Sequence, residues 1–554
     1  MKEKYLDKGE NIMNKYHKLR RFVASLLAVS SLGVVAGCGG NNGGSSESIE
    51  LEVSGVVGFD YVDESLTGEL SLRMWEGGFG TRWLENIAAS FMKRFPNTTV
   101  EVYPTVERTQ INSELTGGIS KDYDIYFLEA AVREDVCVDV SDVWQAVNPE
   151  ETTSVGDKIH STFKNVYDGP NGMKYGIPSY TGAWGVAYNT DYVDSFPVTT
   201  DGWKQLCQDL KTEYGKSLYP IVFSGKTGVD YWRPVADIYV AQYLGIDGFN
   251  NMQVGRNASG ALDPTVSYDI SQYYAAQAIE DLLWYENGFI DPYSVGYQYL
   301  PAQDVFMLDA KAAMMINGSW MMNEMVDTLD YLMYDFEMAK VPVISDIIKH
   351  PKCSSIADDA ELTALIEAID RGQTALSGEG YDVDQAAFDH VKAARGLVYA
   401  AGEESGAYIP QQIGAERIAL AKEFLKFMYS DLGIVSMAQA NCGATMPVSN
   451  FGELLETNMP AFNEKMATFL ESAYKITFNS DLIVRKNGRQ AVDSYVYPDS
   501  ISCYEVMFGS PKSVDRMRAL DAYNEKKDNW SANNHAKYYS MMKAAGYSTV
   551  ESPM

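Results

Sequence analysis

The sequence predicts an α/β protein built from more than one parallel-sheet unit, on three observations. The chain has 554 residues, and single hydrophobic cores stop growing at about 250–300 residues. Strand, helix and strand follow one another between residues 70 and 128, the rhythm that pairs parallel strands through a helical crossover. The same texture returns between Val186 and Pro342.

Leu70-Ser71-Leu72-Arg73-Met74-Trp75 alternates like a strand and runs into the loop Glu76-Gly77-Gly78-Phe79-Gly80. Leu84, Ile87, Ala88, Phe91, Met92 and Phe95 then fall at helical spacing, with Pro96 as the stop. Val100-Glu101-Val102-Tyr103 reads as a second strand. Asp124-Ile125-Tyr126-Phe127-Leu128 reads as a third, apolar enough to sit mid-sheet. In the second stretch Pro220-Ile221-Val222-Phe223 is a strand. Tyr274, Ala278, Ile279, Leu282 and Leu283 share a helix face closed by Asn287-Gly288. Ala312-Ala313-Met314-Met315-Ile316 is a short buried strand, and the methionines from Met314 to Met325 read as core. Val341-Pro342-Val343 is expected to cross between units, because proline is poorly tolerated in a central strand. Residues 350–406 are rich in Ala, Glu and Asp, with Leu362, Ile366 and Ile369 at helical spacing, and read as a helical insertion.

The amino terminus carries an export pattern. Lys15, Lys18, Arg20 and Arg21 precede the uncharged apolar stretch 22–35, and Val35-Ala36-Gly37 places small residues before Cys38. The apolar stretch is shorter than the roughly 20 residues a membrane span needs. Residues 1–37 are therefore expected to be a lipoprotein signal peptide, with lipid on Cys38. Gly39-Gly40-Asn41-Asn42-Gly43-Gly44-Ser45-Ser46 opens a tether, 38–68, that spans about 30 Å if coil-like.

Net charge is −30, and the first 37 residues carry seven Lys/Arg against three Asp/Glu, which leaves the remainder at −34. That balance argues against nucleic acid, which calls for a basic footprint, and against a polybasic membrane patch. Cys38, Cys137, Cys207, Cys353, Cys442 and Cys503 form no C-x-x-C pair, and no motif supports a Cys442–Cys503 disulfide. His17, His160, His350, His390 and His535 are scattered along the chain, and no H-E-x-x-H, nucleophile elbow or phosphate-binding loop occurs. No cofactor and no metal is expected.

Five segments together resemble the extracellular solute-binding proteins of sugar ABC importers, the family 1 group that includes the maltose-binding protein. They are the strand, loop and helix ending in Phe95-Pro96; Tyr123-Asp124-Ile125-Tyr126-Phe127; Lys174-Tyr175-Gly176-Ile177-Pro178 with Gly185-Val186-Ala187-Tyr188-Asn189; Lys311-Ala312-Ala313-Met314-Met315-Ile316-Asn317-Gly318-Ser319-Trp320; and Tyr408-Ile409-Pro410 through Ala444-Thr445-Met446-Pro447. The resemblance implies a two-lobed periplasmic-binding-protein-like fold with discontinuous lobes, a hinge, and a ligand cleft between them. Lobe one takes residues 69–179 and 345–440, with the insertion 350–406. Lobe two takes 180–344 and 441–554. It implies a monomeric binding protein, not an enzyme, lipid-anchored on the outer face of the bacterial cytoplasmic membrane, that passes a small carbohydrate to the membrane subunits of an ABC permease. The alternatives are a surface glycoside hydrolase or lyase, and a receptor for peptides or other organic solutes.

A sugar offers apolar C–H faces and a belt of hydroxyls, so its site calls for flat aromatic surfaces and a few placed polar groups. Glu76 follows the first strand in a Gly-rich loop, and Glu129 ends the third strand, at the carboxyl edge where open α/β sheets bind ligands. Tyr180 and Trp184 sit in the crossover. Tyr231 and Trp232 follow Gly225-Lys226-Thr227-Gly228. Trp320, in Gly-Ser-Trp, matches the family's ligand-stacking tryptophan. Arg82 and Asn441 read as helix-surface or capping residues. Each of these has a structural reading as well, as a solvated loop acid or as hinge or core packing.

Overall fold

A computed structural model describes residues 60–449 apart from short stretches, of which 118–122, 130–133, 327–331 and 402–404 are the longest. Beyond Ser449 it describes residues 474–476, 518–529 and four single positions. The export segment, Cys38, the tether to residue 59 and Cys503 lie outside the described residues.

The chain opens with β1 (Thr67–Trp75), α1 (Arg82–Arg94), β2 (Asn97–Thr105), α2 (Arg108–Thr116) and β3 (Ile125–Glu129). Trp83, Leu84, Ile87, Ala88 and Phe91 form the buried face of α1, which stops at Phe95, before a proline that cannot continue a helix. β2 and β3 lie parallel to β1, one on each side. β4 (Ile177–Pro178) closes this first passage.

β5 (Gly182–Asn189) begins the second unit, followed by α3 (Thr200–Tyr214), β6 (Tyr219–Val222), α4 (Gly228–Leu244), α5 (Ile270–Leu283), α6 (Tyr299–Met307), β7 (Ala312–Gly318), α7 (Met321–Glu324) and β8 (Phe336–Ala339). The insertion contributes α8 (Asp359–Asp370), a small antiparallel pair β9 (Ser377–Gly378) and β10 (Tyr381–Asp382), then α9 (Gln385–Arg395) and β11 (Leu397–Ala401). The chain returns to the first unit with β12 (Ser405–Tyr408), α10 (Ala415–Met428) and α11 (Asp431–Ala438). β13 (Tyr474–Ile476) and α12 (Ala519–Asn529) lie against the second.

Two sheets result, ordered β2-β1-β3-β12-β4 and β13-β11-β5-β7-β6, with β8 also on β5. The parallel expectation holds for β1, β2 and β3 and for β6 with β7. β5 instead runs antiparallel to β7, β8 and β11, because the chain enters it directly from the first unit with no helical crossover. Alternation along β7 separates two layers: Met314 and Ile316 join the main second core, and Met315 joins a smaller cluster with Phe306 and Met338.

The cores apportion the chain differently from the sequence expectation. The first core draws on residues 70–180 and 400–448, the second on 186–399 with Ala519 and Ala522. The insertion, expected on lobe one, packs Cys353, Leu362, Ile366, Phe388 and Val391 into the second core. Pairing of Ala400 and Ala401 with Ala183 and Gly182 holds β11 there. Residues 441–448, expected on lobe two, stay with the first core, where Thr445 and Thr181 exchange backbone hydrogen bonds at 2.8 Å. Val341-Pro342-Val343 does not cross between units: Gln242 donates to the Pro342 carbonyl at 3.3 Å, and Val343 bridges to Thr199 within the second unit. Among the described residues the chain crosses instead between β4 and β5 and between β11 and β12. Cys137, Cys207, Cys353 and Cys442 are buried.

Candidate functional site

Where the two cores meet, aromatic rings from both converge. Phe79, in the loop after β1, and Tyr180, between β4 and β5, belong to the first core; Tyr231, on α4, belongs to the second. Trp184, on β5, and Trp320, just before α7, are partly buried and pack against both cores. The rings meet edge to face: Trp184 and Trp320 at 4.5 Å between centroids, Trp184 and Tyr231 at 5.2 Å, Phe79 and Tyr180 at 5.2 Å, Phe79 and Trp320 at 5.8 Å. Trp83 backs Tyr180 at 5.3 Å.

The backbone beneath this junction is fixed. Trp184 pairs with Gly318 across β5 and β7. The Ser319 amide donates to the Ala183 carbonyl at 2.9 Å, and the Ser319 hydroxyl donates to the Gly443 carbonyl at 2.8 Å. Gly443 has φ +75°, and a Cβ there would lie 1.9 Å from the Ser319 carbonyl oxygen, so only glycine allows this approach. A Cβ on Gly318 would stand 1.8 Å from Cζ3 of the Trp320 ring. The Gly-Ser-Trp motif thus brings the indole up against its own backbone at Gly318.

Polar groups line the same junction. Asn323 Nδ2 donates to the Gly78 carbonyl at 2.9 Å, joining the first unit's loop to the second unit's α7. Glu324 lies one helical turn beyond Trp320, with Oε1 3.2 Å from where a Gly78 Cβ would stand. Burial pushes its carboxyl up to about 7, opposed by the Gln303 amide, which donates to Oε2 at 2.6 Å. Gln303 Oε1 and Asn317 Nδ2 are buried and have no protein partner among the described residues. A ligand hydroxyl entering here would meet an acceptor, a donor and a carboxylate beside flat aromatic faces.

Of the sequence-predicted residues, the structure brings Tyr180, Trp184, Tyr231 and Trp320 together. Trp232 is not with them. It is fully buried in the second core, its ring stacked on Trp203 at 6.3 Å. Neighbouring residues on a helix point about 100° apart, so a helix that turns Tyr231 to the junction turns Trp232 inward. Glu76 is exposed, with its amide donating to the Thr105 carbonyl at 2.8 Å, at the edge of the loop whose Phe79 and Gly78 reach the junction. Glu129 ends β3 opposite Ser405; its side chain lies outside the described residues. Arg82 is exposed at the start of α1 and Asn441 is half-buried with φ 46°. Phe79, Asn323, Glu324 and Gln303 escaped sequence reasoning. The i, i+4 spacing of Trp320 and Glu324 was the available signal for the acid.

The model of the bacterial extracellular solute-binding protein family matches residues 78–355, half of the chain. No curated protein matches the sequence. Among solved structures, a bacterial solute receptor described as having an exclusive preference for b-D-galactopyranose superposes with a TM-score of 0.53 at 13% identity, over 84% of this chain and 99% of its own. A binding protein of Bacillus subtilis in an open conformation gives 0.52 at 11% identity, over 87% and 100%. A maltotriose-bound protein of Thermus thermophilus gives 0.50 at 16% identity, over 83% and 99%. At these identities the likeness is one of fold, and it is the two-lobed solute-binding fold. With that fold, the ring junction between its lobes and the family match in hand, the chain belongs to the bacterial extracellular solute-binding proteins.

Proposed function

We propose that this protein binds a carbohydrate, an oligosaccharide by the breadth of its aromatic surface, between its lobes and delivers it unchanged to an ABC permease. The observation that supports this most is the pair Trp184 and Trp320, each packed against both cores and flanked by Asn323, Glu324 and Gln303. Indole faces accept the C–H face of a pyranose, while amide and carboxylate groups take its hydroxyls. Groups contributed by both lobes make ligand affinity and lobe closure one event. Related folds with a galactopyranose receptor, a chitin oligosaccharide binding protein and a maltotriose binding protein fit this class of ligand. Glu76, Glu129, Tyr180 and Tyr231 complete the proposed contact set; Trp232 acts from behind it, as core.

The same reading places the protein outside the cytoplasmic membrane, held by lipid on Cys38 and kept near its permease by the tether, which raises local concentration. Among the described residues no helix is long and apolar enough to cross a membrane. A thermal-shift screen of mono- and oligosaccharides on the mature protein, with the sugars recovered and analysed after long incubation, tests the function. Stabilisation with the sugar intact supports a receptor. Product formation would replace the proposal with a glycoside hydrolase or lyase, and stabilisation by peptides alone would replace it with a peptide receptor.

A further inference from the structure

We propose that His350, Cys353 and His390 form a zinc site that ties the start of the helical insertion to its helix α9, beside the end of α4. One ligand atom from each of the three lies within 4.8 Å of the others. They come from two pieces of chain. His350 precedes and Cys353 ends the 3₁₀ turn Pro351–Cys353, where positions three apart stand side by side. His390 is on α9. Tyr243, at the end of α4, joins them: its ring meets His350 at 5.2 Å and its carbonyl accepts from His390 Nε2 at 3.1 Å.

The donor set has the chemistry of a zinc site: a thiolate and two imidazoles, soft enough to prefer zinc over calcium or magnesium. The Tyr243 carbonyl engages Nε2 of His390 and leaves Nδ1 with its lone pair, as carbonyls that hydrogen-bond the outer nitrogen do for metal-bound histidines. His390 and Cys353 are buried, and His350 is partly exposed, the side from which water could supply a fourth ligand. Asp269 and Asp384 lie close enough to act on His350 and Cys353 and favour a cation; Lys352 opposes them. The two rings stack at 4.4 Å, 12° from parallel. An ion lies in the plane of each ring it binds, so one ring must tilt. His350 is the one free to do so, on a three-residue turn, giving up the Lys352 amide that its Nδ1 accepts at 3.2 Å. Binding replaces the Cys353 thiol proton: the S–H bond breaks, an S–Zn bond forms, and the proton leaves to solvent with no change of oxidation state.

The test uses the full mature chain, stripped with chelator and titrated with Co²⁺ and Zn²⁺. The site predicts one equivalent bound, a near-ultraviolet thiolate-to-cobalt absorption displaced by Zn²⁺, and a Tm that rises with Zn²⁺. Cys353→Ser should abolish the absorption and the Tm rise, Cys207→Ser should retain both, and His390→Asn should weaken Co²⁺ binding about tenfold or more. His350→Gln, at the partly exposed position, carries the same test if Cys353→Ser does not fold. A folded wild type with no thiolate absorption, or an absorption that survives both substitutions at His350 and Cys353, overturns the proposal. Carbohydrate binding is scored separately and neither outcome depends on it.

Discussion

Glu324 is the residue at the junction whose ionisation can be followed directly. Burial holds its carboxyl up at about 7, while an unfolded glutamate sits near 4.5. An acid raised in the folded state binds its proton more tightly there, so its stabilising contribution is full below pH 4.5 and is lost as pH climbs toward 7. Glu324→Gln should remove that slope and raise stability at pH 8 by on the order of 2–3 kcal/mol, with little change at pH 4.5. The new amide also gives Gln303 Oε1 a donor. Urea unfolding at the two pH values checks this; identical slopes in both proteins would contradict it. Residue chemistry of this kind was the least legible part of the sequence. Aromatic candidates announce themselves by type, but the burial that shifts a carboxyl depends on residues such as Gln303 and Gly78, which reach it from other elements. Of Tyr231 and Trp232 the sequence alone could not say which faces the ligand, since the phase of α4 against its sheet is a tertiary property.

At the scale of elements, the β7-to-α7 turn does most to shape the site. Trp320 lies over Gly318, so Gly318→Ala must push the indole out of the junction. The expected cost is about 1–3 kcal/mol of stability from overpacking, with loss of the near-ultraviolet circular dichroism of the packed tryptophans. Adding Trp320→Ala should relieve most of the cost, because the clash has lost its partner. A fully additive double variant would contradict the close approach. This turn was legible because Met314, Met315 and Ile316 form an apolar run closed by Asn-Gly. The strand–helix–strand start was legible for the same reason, as periodic patterns bounded by loop residues. The home of the insertion was not. Leu362, Ile366, Phe388 and Val391 show that they are buried in something, but the pairing of β11 with β5 that decides which core receives them joins residues more than 200 positions apart.

For the whole molecule, contacts between the two lobes bear on closure. The Asn323 amide on the Gly78 carbonyl is a direct hydrogen bond between them. Asn323→Ala should remove about 1 kcal/mol from the closed arrangement, weaken ligand affinity a few-fold, chiefly through faster release, and enlarge the radius of gyration of the unliganded protein in solution scattering. Saturating ligand should restore the compact value. No change in either quantity would mean that this contact does not favour closure. The anchor is tested separately: an alkyne fatty acid fed to expressing cells should label the wild type and not Cys38→Ala, and equal labelling would remove the lipidation proposal.

The most direct test of the central claim is calorimetric titration of an oligosaccharide series into the mature wild type and into Trp320→Ala. One class of sugar should bind at one site with a negative heat-capacity change, and the substitution should cost about 1–3 kcal/mol of binding free energy. A sugar that binds equally well without the Trp320 indole, or no heat from any sugar in a folded wild type, would contradict it.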